Sequence, residues 1–197
     1  LAQLAFDFSS PPVDGLFAEV EPSTASISET TTFTFVTLVD NDSGRDGFTR
    51  FDVETPTRIT ALHSVTVKDP SGTVTARGDF GTVDVDEMLP RFSGEVTLTE
   101  VDDEHFSLTM PRVVQDGASI EIIFDSAVFR YGTRFRGLAF AEGSTLPLLT
   151  EGGNATSAID TDDLLVSVSI GATVAGPLKL SPSSFSPNDD GINDDLQ

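Results

Sequence analysis

Alternation of hydrophobic and polar residues is the strongest pattern along this chain. Between residues 50 and 54, Phe51 and Val53 alternate with charged side chains. A period of two is typical of a β-strand that buries one face and exposes the other. The same alternation recurs in further segments, which carry Phe33 and Phe35; Ile59, Ala61, His63, Val65 and Val67; Val96 and Leu98; Phe106, Leu108 and Met110; Ile120, Ile122 and Phe124; and Leu164, Val166, Val168 and Ile170.

Turn signals separate these segments. Residues 69–72 (DPSG) and 115–117 (QDG) both predict hairpin connections. No stretch of about twelve residues carries the apolar stripe of an amphipathic helix. Roughly nine or ten strands with half-polar faces favour two packed antiparallel sheets over a parallel α/β sheet. The predicted fold is therefore all-β, an Ig-like antiparallel β-sandwich.

The length of the chain, 197 residues, suits one large sandwich with a sizeable core. We assign residues 1–177 to this domain. Within it, residues 143–163 are a looser stretch, for which we predict a long surface loop before the last strand.

The charge balance excludes several classes of partner. The chain carries 32 acidic and 11 basic residues, a net charge of −21. Phosphate binding needs clustered cations, so we expect no nucleic-acid partner and no binding to an anionic membrane. No apolar run reaches the roughly 18 residues of a membrane-spanning helix, so membrane insertion is not expected. Two interpretations of the acidity stay open: adaptation to high salt in a halophilic organism, and an ordinary acidic extracellular protein.

The sequence offers no recognisable catalytic motif. Cysteine is absent, which excludes disulfides and thiolate metal sites. Patterns typical of α/β-hydrolases, zinc proteases and nucleotide-binding proteins are absent too. His63 falls on the predicted apolar face of its strand, and His105 follows three acids without a visible nucleophile. We therefore predict that the chain is not an enzyme. A hydrolase with two catalytic carboxylates is kept as an alternative, because an acidic chain supplies many candidate pairs.

The segment FRYGTRFRG, residues 129–137, carries the basic stripe of the chain. Arg130, Arg134 and Arg136 share the parity of Gly132, so they are predicted to line one face of a strand. Guanidinium groups bind carboxylates and sulfates through paired hydrogen bonds, and Tyr131 offers a ring that can stack on a sugar. These residues are therefore candidates for binding an acidic glycan. The alternative is cross-strand pairing of the arginines with the abundant acids.

Calcium is the one cofactor that the sequence suggests, and no other is expected. In proteins, Ca²⁺ takes about six to eight oxygen ligands, and a glycine helps the loop fold around the ion. The tail supplies Asn188, Asp190, Asn193 and Asp194 around Gly191. A solvated linker without a bound ion explains the same composition, so both interpretations stay open.

A second acidic group, Asp40, Asp42 and Asp46, surrounds Ser43 and Gly44. One interpretation is another Ca²⁺ loop, because the carboxylates are closely spaced around a glycine. The other is a turn rich in Asp and Asn, since these side chains accept hydrogen bonds from nearby backbone N–H groups. The sequence leaves the choice between the two open.

The tail also carries a family resemblance. Residues 185–196, FSPNDDGINDDL, follow the phrase F-[ST]-P-N-x-D-G-x-N-D, with Asp189 at a position where Gly is common. The matching residues are Phe185, Ser186, Pro187, Asn188, Asp190, Gly191, Asn193 and Asp194. The phrase resembles the opening of FlgD-like Ig domains and of gliding-motility-associated C-terminal domains. The resemblance implies that residues 178–197 are a linker and the first residues of a following FlgD-like Ig domain, which is another β-sandwich. It also implies that the parent protein is secreted or attached to the outer surface of a bacterium.

Together these features predict a function without catalysis. We expect residues 1–177 to be a structural or adhesive module of a larger bacterial protein, located outside the cell or on its surface. Its expected partners are neighbouring domains of the same polypeptide and a surface glycan or protein. A carbohydrate-binding module is the alternative, and it would use Arg130, Tyr131, Arg134 and Arg136.

Overall fold

The computed structural model describes residues 10–84 and 94–169. Fourteen strands and no helix occur within these ranges, so the predicted all-β class is confirmed. Ten strands have five residues or more, and four have only two or three, too few to show an alternation in the sequence. The strands are β1 (Gly15–Glu21), β2 (Thr24–Ser26), β3 (Thr30–Asp40), β4 (Phe48–Glu54), β5 (Arg58–Lys68), β6 (Val74–Asp84), β7 (Thr97–Val101), β8 (His105–Val114), β9 (Ser119–Ala127), β10 (Thr133–Arg134), β11 (Arg136–Phe140), β12 (Pro147–Leu149), β13 (Glu151–Gly152) and β14 (Leu165–Ser169).

Most of these strands belong to two large sheets. One has six strands in the order β13-β1-β3-β9-β5-β6, and the other has five in the order β12-β11-β4-β8-β7. A small third sheet joins β10, β14 and β2. Neighbouring strands of the two large sheets run antiparallel, except that β13 is parallel to β1. Among the described residues, no helix is long and apolar enough to span a membrane.

Aromatic side chains join the two large sheets face to face. Phe35 of β3 lies 6.4 Å from Phe51 of β4, measured between ring centroids. Phe106 of β8 meets Phe124 of β9 edge to face at 5.5 Å. All four rings are fully buried, and such pairs stabilise a core beyond the apolar area that they bury. The sheets are therefore the two layers of a β-sandwich, as the alternation predicts.

Strand β5 departs from its predicted alternation. Its register with β9 shifts twice, which marks two β-bulges. A bulge inserts one residue and turns the side chains that follow to the opposite face. Leu62 therefore lies in the core opposite Phe124, whereas His63 is half-buried outside it, with Nε2 2.9 Å from Asp125 Oδ1. The prediction that His63 lies on the apolar face is wrong, because a period of two does not reveal bulges.

The two predicted hairpin turns have different outcomes. Residues 69–72 join β5 to β6 within one sheet, so this hairpin is confirmed. Residues 115–117 lead from β8 in the five-stranded sheet to β9 in the six-stranded sheet, so the second is not a hairpin. Turn residues signal a reversal of the chain but not which sheet the next strand joins. The two turns touch, since a Cβ on Gly117 would lie 2.8 Å from Pro70 Cγ.

The stretch 143–163 is more ordered than the predicted loop. It contains β12, which pairs with β11, and β13, which pairs with β1. The remaining residues 153–163, which we call the strap, lie over the outer face of β1 and β3. Ala155 and Ile159 of the strap pack against Val36 and Leu38 of β3. The strap thus covers part of a sheet face that alternation alone would assign to solvent.

Candidate functional site

A cleft of about 950 Å³ opens at one end of the sandwich. It lies where the β4–β5 loop, the β7–β8 turn and the start of β11 meet. We call it the arginine cleft, and its volume is within the range of sites that bind small ligands. The charged or titratable side chains that line it are Glu54, Asp102, Asp103, Glu104, His105, Arg134 and Arg136.

Phe135 explains why two arginines meet in this cleft. Its side chain is fully buried and contacts Phe33 edge to face at 5.0 Å between centroids. The chain changes sheets at this residue, because β10 pairs with β14 while β11 pairs with β4. Arg134 and Arg136, one residue to each side, are exposed and line the cleft. The alternation across Phe135 therefore brings two guanidinium groups from two different sheets to one surface.

Neither arginine is firmly committed to a protein partner. Arg134 Nη2 lies 3.4 Å from Asp163 Oδ1, and about half of each side chain is exposed. Exposed ion pairs of this kind contribute roughly 0–1 kcal/mol to stability. Arg136 lies opposite Glu54 in the β4–β11 register, and it forms no ion pair with any described residue. Both groups are therefore available to a ligand at little cost.

The opposite wall of the cleft is the acidic β7–β8 turn. Asp102 Oδ1 accepts the N–H of Glu104 at 2.8 Å, which shapes the turn. The backbone oxygens of Asp103 and Glu104 accept N–H groups from Ile59 and Thr55, at 2.7 and 2.8 Å. These bonds fix the turn against the β4–β5 loop. The cleft consequently combines carboxylates from a turn with an anchored backbone and guanidinium groups from β10 and β11.

Arg130 and Tyr131 lie beside the cleft and not on the predicted strand face. β10 begins at Thr133, so the stripe that would have joined Arg130 to Arg134 is interrupted by a turn. Arg130 lines a neighbouring hollow of about 260 Å³, together with Asp103 and Glu104 of the same acidic turn. Tyr131 is 75% exposed. The prediction of one strand face is wrong for Arg130, because turn residues do not keep the parity of a strand.

A charged network that sequence reasoning missed leads into the cleft along the outer face of β4 and β8. Asp52 is almost fully buried and accepts hydrogen bonds from Arg50 Nη2 at 2.6 Å and from Ser107 Oγ at 2.5 Å. His105 Nε2 lies 3.5 Å from the same carboxylate. Asp52 raises the pKa of Arg50 above its usual range by accepting its hydrogen bonds. Arg50 in turn stacks over the ring of Phe140 at 4.3 Å.

This network contains Ser, His and Asp but lacks the order of a catalytic triad. In a triad, the serine hydroxyl donates to histidine, which is oriented by the acid. Here Ser107 donates to Asp52 directly, and Arg50 occupies the remaining side of that carboxylate. Ser107 is also buried. The arrangement stabilises the sheet face beside the cleft and does not activate a nucleophile.

The predicted acidic loop at residues 40–46 lies at the opposite end of the sandwich. Asp40 and Asp42 come together with Asp116, and one carboxylate oxygen of each lies within 4.8 Å of the others. Asp46 is not part of this group, and Asp116 was not predicted because it belongs to the distant β8–β9 turn. Asp116 Oδ1 already accepts the N–H of Asn41 at 2.8 Å.

The same loop is tied down by Asp14. Its carboxylate accepts hydrogen bonds from the Ser43 N–H at 2.7 Å and from Arg45 Nε at 2.6 Å. The Ser43 hydroxyl also donates to it. These bonds lower the pKa of Asp14 from 3.8 to about 2, with the Ser43 hydroxyl as the largest cause. The geometry matches the interpretation of the loop as a turn that is organised by Asp and Asn.

Several predictions fall outside the described residues. The tail ligands Asn188, Asp190, Asn193 and Asp194 and the domain boundary after residue 177 all belong to residues 170–197. The segment that resembles FlgD-like Ig domains lies there as well. The Ca²⁺ site of the tail and the following domain therefore stay predictions.

No protein-family model matches the chain, and no curated protein matches it significantly. Among solved structures, the chain is similar to a DUF4466 family protein from Parabacteroides merdae, with a TM-score of 0.37 and 10% sequence identity. The match covers 71% of this chain and 44% of that one, so the chain spans less than half the length of that structure. A similarity at this level carries no inference about function.

Proposed function

We propose that this chain is a non-catalytic adhesive module of a bacterial surface or secreted protein, and that it binds its partner in the arginine cleft. The observation that carries the proposal is the convergence of Arg134 and Arg136 on one cleft of about 950 Å³. In a chain with 32 acids and 11 bases, Arg136 has no ion-pair partner among the described residues, and Arg134 has only the exposed pair with Asp163. Arginines of this kind are frequent anchors of binding interfaces.

Two further features support the extracellular, non-catalytic part of the proposal. Ser107 and His105 are the candidate nucleophile and base nearest the cleft, and their bonding to Asp52 opposes that chemistry. The tail resembles modules that accompany secretion and surface attachment. A net charge of −21 keeps such a protein soluble at the salt concentrations found outside cells.

Adhesion of protein-coated beads would test the proposal. Beads carrying the chain would be applied to surfaces coated with pectate, cellulose or collagen, and the bound fraction measured under flow. We expect the double variant Arg134→Ala, Arg136→Ala to lose adhesion about tenfold or more. Arg112→Ala is the matched control, because Arg112 is also exposed but lines a different cavity between Val67 and Val113. Equal adhesion by the double variant and the control would refute the proposal.

A carbohydrate-binding module is the second candidate, and the exposure of Tyr131 favours it. This ring is 75% exposed in the turn that also places Gly132 in the cleft wall. Sugar hydroxyls both donate and accept hydrogen bonds, so a cleft with guanidinium and carboxylate walls suits them. Stacking of a ring on a sugar face would add an apolar contact.

Calorimetry with soluble oligosaccharides separates the two candidates. A glycan-binding module should bind an oligosaccharide of uronic acids, and Tyr131→Ala should weaken binding whereas Tyr131→Phe should retain it. Binding that survives Tyr131→Ala unchanged would speak against stacking. Adhesion to the collagen surface alone would favour a protein partner.

A further inference from the structure

Glu19 is a buried acid that plays no part in the arginine cleft. It belongs to β1 and is 0% exposed. Its Oε1 accepts two N–H groups of the strap, from Ala155 at 3.0 Å and from Thr156 at 2.6 Å. Its Oε2 is also buried and has no hydrogen-bond partner among the described residues. A buried carboxylate oxygen without a partner costs free energy, and so points to a role beyond packing.

Glu19 holds the strap between two backbone attachments to β1. At the start of the strap, the Gly153 N–H donates to the Ala18 carbonyl at 3.2 Å. At its end, the Val20 N–H donates to the Asp163 carbonyl at 3.1 Å. Ala155, whose N–H Glu19 accepts, is one of only two strap residues in the apolar contact with β3. The Thr161 hydroxyl also donates to the Val20 carbonyl at 2.9 Å, so Glu19 supplies the side-chain acceptor for the first half of the strap.

The surroundings of Glu19 disfavour its ionised form. Burial raises its pKa above the ordinary 4.5, and the two N–H donors only partly oppose this shift. Negative charge comes from Asp162 of the strap and from Glu21 of the same strand, and both raise the pKa further. The strand β3, which is packed beside them, contributes the apolar Val36 and Leu38. The closed strap is therefore more stable, relative to the open strap, when Glu19 is protonated than when it is ionised.

We propose that Glu19 is a proton-operated latch, which keeps the strap closed over β1 when it is protonated and favours release of the strap when it ionises. The carboxyl group of Glu19 binds its proton more tightly in the closed state than in the open state, where it is exposed to water. The stabilisation of the closed state is complete below about pH 4.5, the ordinary pKa, and is lost as the pH rises through the raised pKa of buried Glu19.

The latch also reaches the arginine cleft through Asp163. The strap ends at this residue, and its Oδ1 lies 3.4 Å from Arg134 Nη2. The Leu164 N–H also donates to this oxygen at 2.7 Å, so release of the strap would weaken the exposed pair with Arg134 and lower the small cost of binding a ligand there. This consequence rests on the proposed function of the cleft, whereas the latch itself does not.

Hydrogen exchange of the Ala155 and Thr156 amides, followed by NMR between pH 4 and 8, tests the latch directly. After correction for the intrinsic exchange rate, we expect the opening constant of the wild type to rise by up to about tenfold per pH unit within the titration window. In Glu19→Gln, the side chain still accepts from both amides but cannot ionise, so this pH dependence should disappear.

Glu29→Gln is the matched control, since Glu29 is an exposed acid that takes no part in the contacts of the strap and should leave the pH dependence in place. The proposal is overturned if the wild-type opening constant does not change with pH, or if Glu19→Gln keeps the wild-type slope. Failure of the cleft to bind any partner would leave these exchange rates unchanged, so the two proposals fail separately.

Discussion

The two ends of the sandwich are both acidic, but they differ in how many of their acids accept hydrogen bonds from neighbouring turns. At the end formed by residues 41–47, 69–73 and 115–118, three acids hold turns together, whereas the side chains of Asp40, Asp42 and Asp46 have no hydrogen-bond or ion-pair partner among the described residues. Asp14 binds Ser43 and Arg45, Asp69 accepts hydrogen bonds from residues 71 and 73, and Asp116 accepts the N–H of Asn41. We call this the aspartate end.

At the cleft end, the charged side chains are largely uncommitted. No hydrogen bond or ion pair joins the side chains of Glu54, Asp103, Glu104 or Arg136 to the rest of the described structure. The difference teaches that a dense cluster of acids is not by itself a sign of a ligand site. Acids that satisfy backbone donors serve the fold, whereas charged groups that are fixed by the backbone but left without partners are available for recognition.

The largest expected effect comes from the residue that builds the cleft. Phe135→Ala should lower the free energy of unfolding by about 3–5 kcal/mol, because it leaves a cavity beside Phe33. Urea unfolding measures the loss. Phe129→Ala is the control, since this nearby ring is 48% exposed and its removal should cost much less. Similar losses in both variants would mean that Phe135 does not anchor the two arginines.

The next prediction compares two carboxylates on the outer face of β4: that of Asp52, which accepts hydrogen bonds, and that of Glu54, which has no side-chain partner among the described residues. Asp52→Asn should cost about 2–3 kcal/mol, since it leaves Arg50 without its charged partner in a largely buried network. Glu54→Gln, two residues further along β4, should change stability by less than about 0.5 kcal/mol. If thermal unfolding showed equal losses of stability for the two variants, the distinction between acids with and without hydrogen-bond partners would be wrong.

Acid titration should separate the two ends as well. The pKa of Asp14 falls from 3.8 to about 2 on folding, so its stabilising effect is present above pH 3.8 and is lost as the pH falls towards 2. Asp14→Asn should therefore lower the melting temperature at pH 6 and flatten its dependence on pH between 4 and 2. Asp103→Asn, the control at the cleft end, should leave the melting temperature at pH 6 unchanged, because no described residue bonds to its side chain. If the melting temperature of Asp14→Asn fell between pH 4 and 2 as steeply as that of the wild type, this account would be contradicted.

The smallest expected effect concerns calcium at the aspartate end. Because Asp116 Oδ1 is bound to the Asn41 N–H, we expect millimolar Ca²⁺ to raise the melting temperature no more than NaCl of equal ionic strength. A rise that is specific to Ca²⁺, and that Asp42→Asn abolishes, would show that the three aspartates hold an ion and would break the comparison.

The fold was largely predictable because strands with one buried face carry their pattern locally. The alternation at Phe33 and Phe35, and at Phe106 and Leu108, placed the buried faces of β3 and β8 correctly. The bulges of β5 were not predictable, because two insertions in succession cancel each other. The alternation before Leu62 and the alternation after it therefore keep the same phase in the sequence.

The candidate site was only partly predictable for a related reason. Arg134 and Arg136 could be singled out because they alternate around Phe135, but their acidic wall at residues 102–104 comes from a distant turn. The burial of Glu19 depends on Ala155 and Thr156, more than 130 residues away along the chain, so local alternation gave no signal for it. Contacts between segments that are far apart in the chain do not alter the local alternation of hydrophobic and polar residues, so the sequence pattern does not reveal them.

The most direct test of the arginine cleft is an NMR titration with a soluble fragment of the surface, pectate, cellulose or collagen, to which the coated beads adhere. We predict shift changes in the amides of residues 54, 55, 102–105 and 132–136, and none in the amides of residues 41–47, 69, 71–73 and 115–118. The changes should vanish in the Arg134→Ala, Arg136→Ala variant. Changes centred on the aspartate end, or changes at the cleft end that persist in this variant, would contradict the account.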